Sequence, residues 1–104
     1  MSKKALQIEV EYQLPLGEFK AAMKMAAEAV AVQPGLVWKA WVYDDHEKHA
    51  SGWYVFDSLE TAHAYLQSEV VSSFQAHPAM SNFSPKIFDI DEDASAITRA
   101  PLSL

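Results

Sequence analysis

Residues Gly35–Phe56 read GLVWKAWVYDDHEKHASGWYVF and contain all three tryptophans of this 104-residue chain. Two apolar, aromatic runs lie on either side of a charged segment, which is typical of two antiparallel strands joined by a polar loop. The pattern predicts a β-hairpin with strands over residues 36–43 and 51–57 and a loop over residues 44–50. Both faces of the first strand are largely apolar, whereas a strand buried on one face alternates apolar and polar residues. We therefore expect a second copy of the chain to cover one face, which makes the protein a homodimer.

The segment before the hairpin predicts one strand and one helix. Apolar and polar residues alternate strictly over residues 5–13, which indicates a strand with one buried face. Pro15 suits the start of a helix, because its missing N–H would be unpaired there anyway. Apolar residues at helical spacing then predict a helix over residues 16–32, which Pro34-Gly35 ends.

The segment after the hairpin predicts a second helix and a last strand. Asp57 and the glutamate three residues later resemble a capping box, so a helix is expected over residues 58–71. It could continue to Gln75, before Pro78 ends it. Residues 79–84 have the composition of a loop, and residues 85–90 are expected to form the last strand. The acidic run that follows is expected to cap a short helix.

The order of these elements, β-α-β-β-α-β, is that of the ferredoxin-like split βαβ fold. We expect an α+β protein in which two helices cover one face of a four-stranded antiparallel sheet. A chain of 104 residues without an internal repeat or linker is long enough for one hydrophobic core. Residues 1–104 are therefore expected to form a single domain.

The composition argues against several kinds of partner and chemistry. The net charge of −6 and the dispersed basic residues disfavour nucleic acid, since phosphate binding needs clustered lysine and arginine. The chain has no cysteine, so it has neither disulfides nor thiol chemistry. The N-terminal segment lacks the apolar stretch of a signal peptide, and no apolar run is long enough to span a membrane. We expect a cytoplasmic protein without a membrane or nucleic-acid partner.

Few polar residues of the sequence are candidates for a catalytic or metal-binding role. The hairpin loop, Asp44–His49, holds carboxylates and histidines but matches no metal-ligand spacing, so we interpret it as a solvated turn and expect no metal site. His63, at the edge of the second helix, and His77, before Pro78, are candidate general bases because histidine titrates near neutral pH. Either of these histidines could equally be structural or exposed.

A set of aromatic residues is the other candidate site. Aromatic residues on strands usually belong to a core or an interface, but several around one pocket would hold a flat ligand by stacking. The candidates for such a substrate-binding wall are Trp38, Trp41, Tyr54, Tyr65 and Phe74. Alternation puts Trp38 and Trp41 on opposite faces of their strand. We expect Trp38 to face the helices, because Leu36 and Val42 share its face.

Five short motifs along the chain resemble the YdhR-like monooxygenase family. They are Pro34-Gly35, Trp38-Lys39-x-Trp41, Gly52-x-Tyr54-x-Phe56, Ala64-Tyr65-Leu66 and Lys86-x-Phe88-Asp89. The resemblance runs from the first strand to the short C-terminal helix and implies a ferredoxin-like protomer of the dimeric α+β barrel type. The wider superfamily includes cofactor-independent monooxygenases and haem-degrading enzymes. The resemblance therefore implies a monooxygenase without a cofactor that acts on a small aromatic or polycyclic compound, in a pocket between the sheet and the helices.

Two alternatives stay open at this point. The protein could be a non-catalytic dimeric binding protein for a small apolar ligand, or a haem-binding relative with His63 or His77 as the iron ligand. Within the monooxygenase hypothesis, the base could be either histidine or a tyrosinate. Turnover separates the enzyme from the binding protein, and a Soret band identifies haem.

Overall fold

A computed structural model of the chain describes residues 2–103. In chain order, its elements are β1 (Lys4–Tyr12), α1 (Leu16–Ala31), β2 (Leu36–Asp44), β3 (His49–Phe56), α2 (Leu59–Leu66), α3 (Glu69–Ala76), β4 (Met80–Asp89) and α4 (Glu92–Ile97). The four strands form one antiparallel sheet in the order β2-β3-β1-β4. This is the ferredoxin-like α+β fold predicted from the sequence, so that prediction is confirmed.

The core lies between the sheet and the helices. Leu6 and Ile8 of β1 are buried on the same sheet face as Tyr54 and Phe56 of β3. Helices α1, α2 and α3 pack on this face, which we call the helix face. The alternation over the first strand therefore marks a one-sided strand, as the sequence predicted.

The hairpin loop is shorter than predicted and is tied to β1. The Tyr12 hydroxyl donates to Asp45 Oδ1 at 2.7 Å, and Lys48 Nζ donates to the same oxygen at 2.9 Å. Burial and the neighbouring Asp45 carboxylate raise the pKa of Tyr12 to about 12, so its hydroxyl remains a donor. Phe19 of α1 stacks on the Tyr12 ring with centroids 3.8 Å apart. These contacts fix the hairpin end against both β1 and α1.

The prediction of one continuous helix from residue 58 is wrong, because the structure has two helices there, α2 and α3. Ser68 interrupts the helix and caps α3, accepting the N–H of Val71 at 3.4 Å. Ser58, rather than the predicted Asp57, caps α2 and accepts the N–H of Thr61 at 3.2 Å. Serine side chains compete for backbone amides and so favour helix starts, which the apolar periodicity alone does not show.

The last strand begins earlier than predicted. Residues 79–84 were expected to form a loop, but β4 begins at Met80, which pairs with Tyr12 of β1. The register of this pair shifts between Glu9 and Glu11, and Asn82 has a positive φ of 55°. A bulge of this kind interrupts the alternation that marks a strand in a sequence. The strand lies at the edge of the sheet, where a proline such as Pro85 is tolerated.

Gly35 connects α1 to the hairpin in a conformation that favours glycine. Its φ is +78°, and a Cβ at this position would lie 2.5 Å from both Asp57 Oδ1 and Thr61 Oγ1. These two atoms belong to a network at the start of α2, in which the Thr61 hydroxyl donates to Asp57 at 2.7 Å. The Asp57 N–H donates to the Gly35 carbonyl at 2.8 Å and closes the connection. A side chain at residue 35 must therefore disturb both the backbone and this network.

Gly35→Ala is expected to lower the free energy of unfolding by about 1–3 kcal/mol, because alanine is strained at this φ and meets the Asp57–Thr61 network. Gly17→Ala is the matched control, since a Cβ there has no heavy atom within 4 Å. It should leave stability unchanged or raise it by up to about 1 kcal/mol. Urea unfolding of both variants measures the difference, and equal stability of the two would contradict this account of Gly35.

A candidate active site between the sheet and helices α1 and α3

The register of the hairpin decides which side chains face the helices. Leu36 pairs with Phe56, but the register shifts before Trp38, which pairs with Val55. This bulge reverses the alternation, so that Lys39 and Trp41 share the helix face with their partners Tyr54 and Gly52. The expectation that Trp38 faces the helices is therefore wrong.

A cavity of about 220 Å³ lies on the helix face, among the sheet, α1 and α3. A water molecule needs only about 10–15 Å³ of such space, so there is room for a small organic ligand. The wall is mainly apolar and includes Trp41 of β2, Tyr54 of β3 and Phe74 of α3. The mouth of the cavity is open to solvent. Its chemistry suits a flat apolar molecule that enters from outside.

Gly52 allows two neighbouring side chains to approach each other in this wall. A Cβ at Gly52 would lie 2.8 Å from the Tyr54 ring and 3.0 Å from Lys39 Cε. A glycine inside a strand often marks a close approach by another group, and this one does so. Because Gly52 has no side chain, there is room beside it for both the Lys39 side chain and the Tyr54 ring.

Lys39 is the residue that the sequence analysis missed. Its Nζ lies 3.2 Å from the centroid of the Trp41 ring, 4.5 Å from that of Tyr54 and 5.5 Å from that of Phe74. Among residues 2–103, no Asp or Glu oxygen lies within 4.0 Å of this nitrogen. Burial lowers the pKa of Lys39 from the ordinary value of 10.5 to about 7. The sequence did contain a signal for this residue, because Lys39 lies between two tryptophans on a strand whose two faces are both apolar. Lysine is seldom buried, so a lysine in such a strand indicates a special role.

Tyr54 and Tyr65 form a neutral pair behind the wall. Their hydroxyl oxygens are 2.9 Å apart, and both rings are buried. Burial raises the pKa of Tyr65 to about 12 and raises that of Tyr54 above its usual range. Both hydroxyls are therefore protonated at neutral pH, which argues against the tyrosinate base considered above. Tyr65 lies behind Tyr54 rather than at the cavity surface.

The two candidate histidines lie in different places. His77 ends α3 and lies at the cavity wall, where its Nδ1 accepts the N–H of Ala79 at 3.1 Å. In a neutral imidazole with that bond, the proton is on Nε2. His63 is exposed in the last turn of α2 and does not line the cavity. Of the predicted site residues, the structure thus brings together Trp41, Tyr54, Phe74 and His77.

Trp38 lies on the opposite side of the sheet, which we call the open face and which also carries Trp53, Val55 and Phe88. The indole N–H of Trp38 donates to the carbonyl of Pro101 at 2.7 Å, so the C-terminal segment crosses part of this face. Trp53 remains 48% exposed and Phe88 38% exposed. The large apolar side chains of the open face are only partly covered within one chain.

The described part of the chain contains no cluster of three or more His, Cys, Asp or Glu side chains that could hold a metal ion. Within residues 2–103, no helix is long and apolar enough to cross a membrane.

Residues 5–101 match the protein family described as "Putative mono-oxygenase ydhR". The chain belongs to this family. The matched residues include all of the helices and strands except Lys4, the first residue of β1. The resemblance to the ydhR family that the five motifs indicated is therefore confirmed. No curated protein sequence matches the chain significantly.

Several solved structures share the fold of this chain. SnoaB, a cofactor-independent oxygenase from Streptomyces nogalater, is 16% identical with a TM-score of 0.70, over 86% of this chain and 94% of its own. An antibiotic biosynthesis monooxygenase candidate from Chloroflexus aurantiacus is 17% identical with a TM-score of 0.64, over 86% and 93%. A MhuD variant with two manganese protoporphyrin IX molecules per active site is 17% identical with a TM-score of 0.66, over 85% and 94%. At these identities the likeness shows a shared fold.

Lys39→Met is expected to stabilise the ydhR-family protein at and below pH 7. The folded-state pKa of Lys39 is lowered from 10.5 to about 7, so the unfolded chain binds more protons between these values and stability rises with pH across that interval. Below about pH 7, Lys39 is charged in the folded protein, and burying that charge lowers the free energy of unfolding by its full amount. Methionine has no charge, so the substitution removes this cost. We expect a gain of roughly 2 kcal/mol there, which shrinks toward zero as the pH approaches the unfolded-state pKa.

Urea unfolding on both sides of pH 7 measures this difference. Lys24→Met is the matched control, because Lys24 is exposed on α1. A gain in Lys39→Met that did not depend on pH would contradict the lowered pKa.

Proposed function

We propose that this protein is a cofactor-independent monooxygenase that acts on a small aromatic or polycyclic compound. Membership of the ydhR family supports a monooxygenase-like function, and the fold is that of the oxygenase SnoaB. The observation that carries the substrate class is the cavity wall, where Trp41, Tyr54 and Phe74 surround a space without acidic side chains. Such a wall favours a flat, electron-rich ring over a sugar, a phosphate or a peptide.

The reaction needs no electrons from the protein. A deprotonated phenol can reduce oxygen itself, so that one oxygen atom enters the ring and the other leaves as water. The phenol loses four electrons in total and becomes a quinone, and these are the four electrons that reduce both atoms of the oxygen molecule. The protein then has three tasks, which are to exclude water, to hold the ring and to favour the phenolate through placed polar groups.

The cavity residues divide these tasks among themselves. Trp41 and Phe74 hold the ring by stacking, and the neutral Tyr54 hydroxyl, fixed by Tyr65, keeps its own ring in place. Lys39, whose pKa is lowered by burial to about 7, and His77 are the basic side chains in the described wall. The base is one of these two, rather than His63 on the outer side of α2.

We propose in addition that the protein is a homodimer joined through the open face. Trp38, Trp53, Val55 and Phe88 form an apolar surface across strands β2, β3 and β4 of the sheet. Exposed apolar surfaces of this kind mark interfaces in soluble proteins, and a two-fold axis brings the same surface of each copy together. Covering Trp53 and Phe88 would complete a barrel with the helices of both copies outside.

The purified protein is expected to consume oxygen with a dihydroxy-aromatic or polycyclic phenol, without added flavin or metal. The same ligands should quench tryptophan fluorescence through Trp41, the tryptophan at the cavity. Trp41→Phe should therefore remove most of the quenching and lower kcat/KM roughly tenfold, in line with the loss of one good stacking contact. Oxygen-electrode and fluorescence titrations measure the two effects.

Trp53→Phe is the matched control, since Trp53 lies on the open face and should leave both quenching and turnover in place. Ligand binding without oxygen uptake over a broad panel of phenols would instead favour a non-catalytic binding protein. Oxygen uptake only after addition of haem, with a Soret band, would favour the haem-binding alternative.

Trp53→Glu is expected to convert the dimer into a monomer, because two carboxylates would have to be buried at the interface. Met25→Glu is the control, since Met25 is 82% exposed on α1 and lies away from the open face. Light scattering at micromolar concentration gives the mass of each variant, and circular dichroism checks that both are folded. An unaltered protein with the mass of one chain would refute the dimer.

A further inference from the structure

We propose that Lys39 accepts the proton of an acidic hydroxyl group, so that the cavity selects phenols and enols and binds them as anions beside the lysine ammonium group. The inference rests on the proposed function, because it places the substrate in the same cavity. It goes further in naming the base and the property of the substrate that the site recognises.

The first argument is the position of the Lys39 nitrogen. It lies within 5.5 Å of the ring centroids of Trp41, Tyr54 and Phe74, which form the proposed stacking wall. A ring held by these side chains therefore has its substituents within reach of the amine. The Lys39 side chain passes beside Gly52, through space that a side chain at residue 52 would occupy.

The second argument is the charge around this nitrogen. The described wall contains no Asp or Glu, and β1, α1 and β4 contribute only apolar side chains to it. The other titratable groups at the wall are Tyr54 of β3, whose pKa is raised by burial, and His77 at the end of α3. A protonated Lys39 thus has aromatic faces but no anion as a partner. A bound anion would supply the partner that the protein omits.

The proton transfer itself is balanced without any further reactant. The O–H bond of the ligand breaks and an N–H bond forms, which leaves a phenolate and an ammonium group. Burial lowers the pKa of Lys39 to about 7, so part of the lysine is a free amine at neutral pH and can accept the proton. The resulting ion pair is stronger in this apolar cavity than in water. The phenolate is also the form that gives electrons to oxygen.

His77 is the less suitable base on this geometry. Its Nδ1 already accepts the N–H of Ala79, and the residue is exposed at the end of α3. A phenolate beside it would be solvated, and solvation reduces both the ion-pair strength and the exclusion of water. Lys39 has the deeper position among the stacking side chains.

The test uses two coloured probes of nearly the same shape, para-nitrophenol and para-nitroanisole. The phenol has an acidic proton that ionises near neutral pH, and the methyl ether has none. In the unaltered protein, bound para-nitrophenol should show the yellow phenolate band at neutral pH, with affinity that falls at both lower and higher pH. The fall at high pH reflects loss of the Lys39 proton, and the fall at low pH reflects protonation of the phenolate.

Lys39→Met should bind para-nitrophenol in the colourless, neutral form and roughly tenfold or more weakly at neutral pH, because the charge-assisted hydrogen bond is lost. Its affinity should fall only as the phenol ionises. Para-nitroanisole should bind the variant and the unaltered protein alike, which shows that the cavity is intact. Lys24→Met, with its exposed lysine on α1, should behave as the unaltered protein with both probes.

An NMR titration of the lysine Cε resonances provides a measurement that does not depend on a variant. The perturbed Lys39 resonance should move to the protonated position when para-nitrophenol binds and should remain unprotonated in part with para-nitroanisole. Equal binding of neutral para-nitrophenol by the unaltered protein and Lys39→Met would overturn the proposal. So would a Lys39 resonance that does not respond to the phenol.

The two proposals can fail separately in these experiments. If phenolate binding depends on Lys39 but no phenol is oxidised, the assignment of Lys39 stands and the monooxygenase function does not. If Lys39→Met oxidises phenols as fast as the unaltered protein and with the same pH profile, the function stands and Lys39 is not the base. If neither probe binds, the assignment of Lys39 fails, and oxygen uptake with the broad panel of phenols decides the monooxygenase function separately.

Discussion

The pairing of β2 with β3 beyond the bulge at Val37 is the constraint on which the candidate site depends. Before the bulge, Leu36 faces the helices opposite Phe56. After it, Trp41 faces them and Trp38 does not, although strict alternation from Leu36 would have placed Trp38 there. One unpaired residue in a strand therefore decides which tryptophan enters the cavity and which joins the open face.

The same register carries Lys39 into an apolar environment at a cost in stability. If Lys39 only filled space, methionine or leucine would give a more stable protein, because burying an apolar side chain does not require the removal of water from a charged group. The ring faces of Trp41 and Tyr54 offset part of that cost, and no carboxylate in the described chain offsets the rest. Polar groups held in such poorly compensated positions are a feature of binding and catalytic sites, where a ligand provides the missing partner.

The two faces of the sheet have separate roles in this arrangement. The helix face contains the core around Phe56 and Tyr65 and leaves a cavity beside it among the sheet, α1 and α3. The open face carries the other two tryptophans and is crossed only in part by the segment around Pro101. The aromatic residues of the hairpin thus contribute to both the cavity on the helix face and the open face. This explains why neither face of β2 has the polar residues that are typical of a solvated strand.

The sequence by itself determined the element types, their order, the ferredoxin-like fold and the family, because periodicity and motifs are properties of neighbouring residues. It also identified four side chains of the cavity wall, namely Trp41, Tyr54, Phe74 and His77. Only the tertiary structure decided the orientation of Trp38, the break before α3 and the early start of β4. A bulge reverses which side chains face the helices, and the residue pattern does not show where the bulge lies. A serine cap can end one helix and start the next although the helical spacing of apolar residues continues past it. The burial that lowers the pKa of Lys39 is completed by rings from β3 and α3 that are distant in the sequence, so the local pattern indicates a buried lysine but not its neighbours in the cavity.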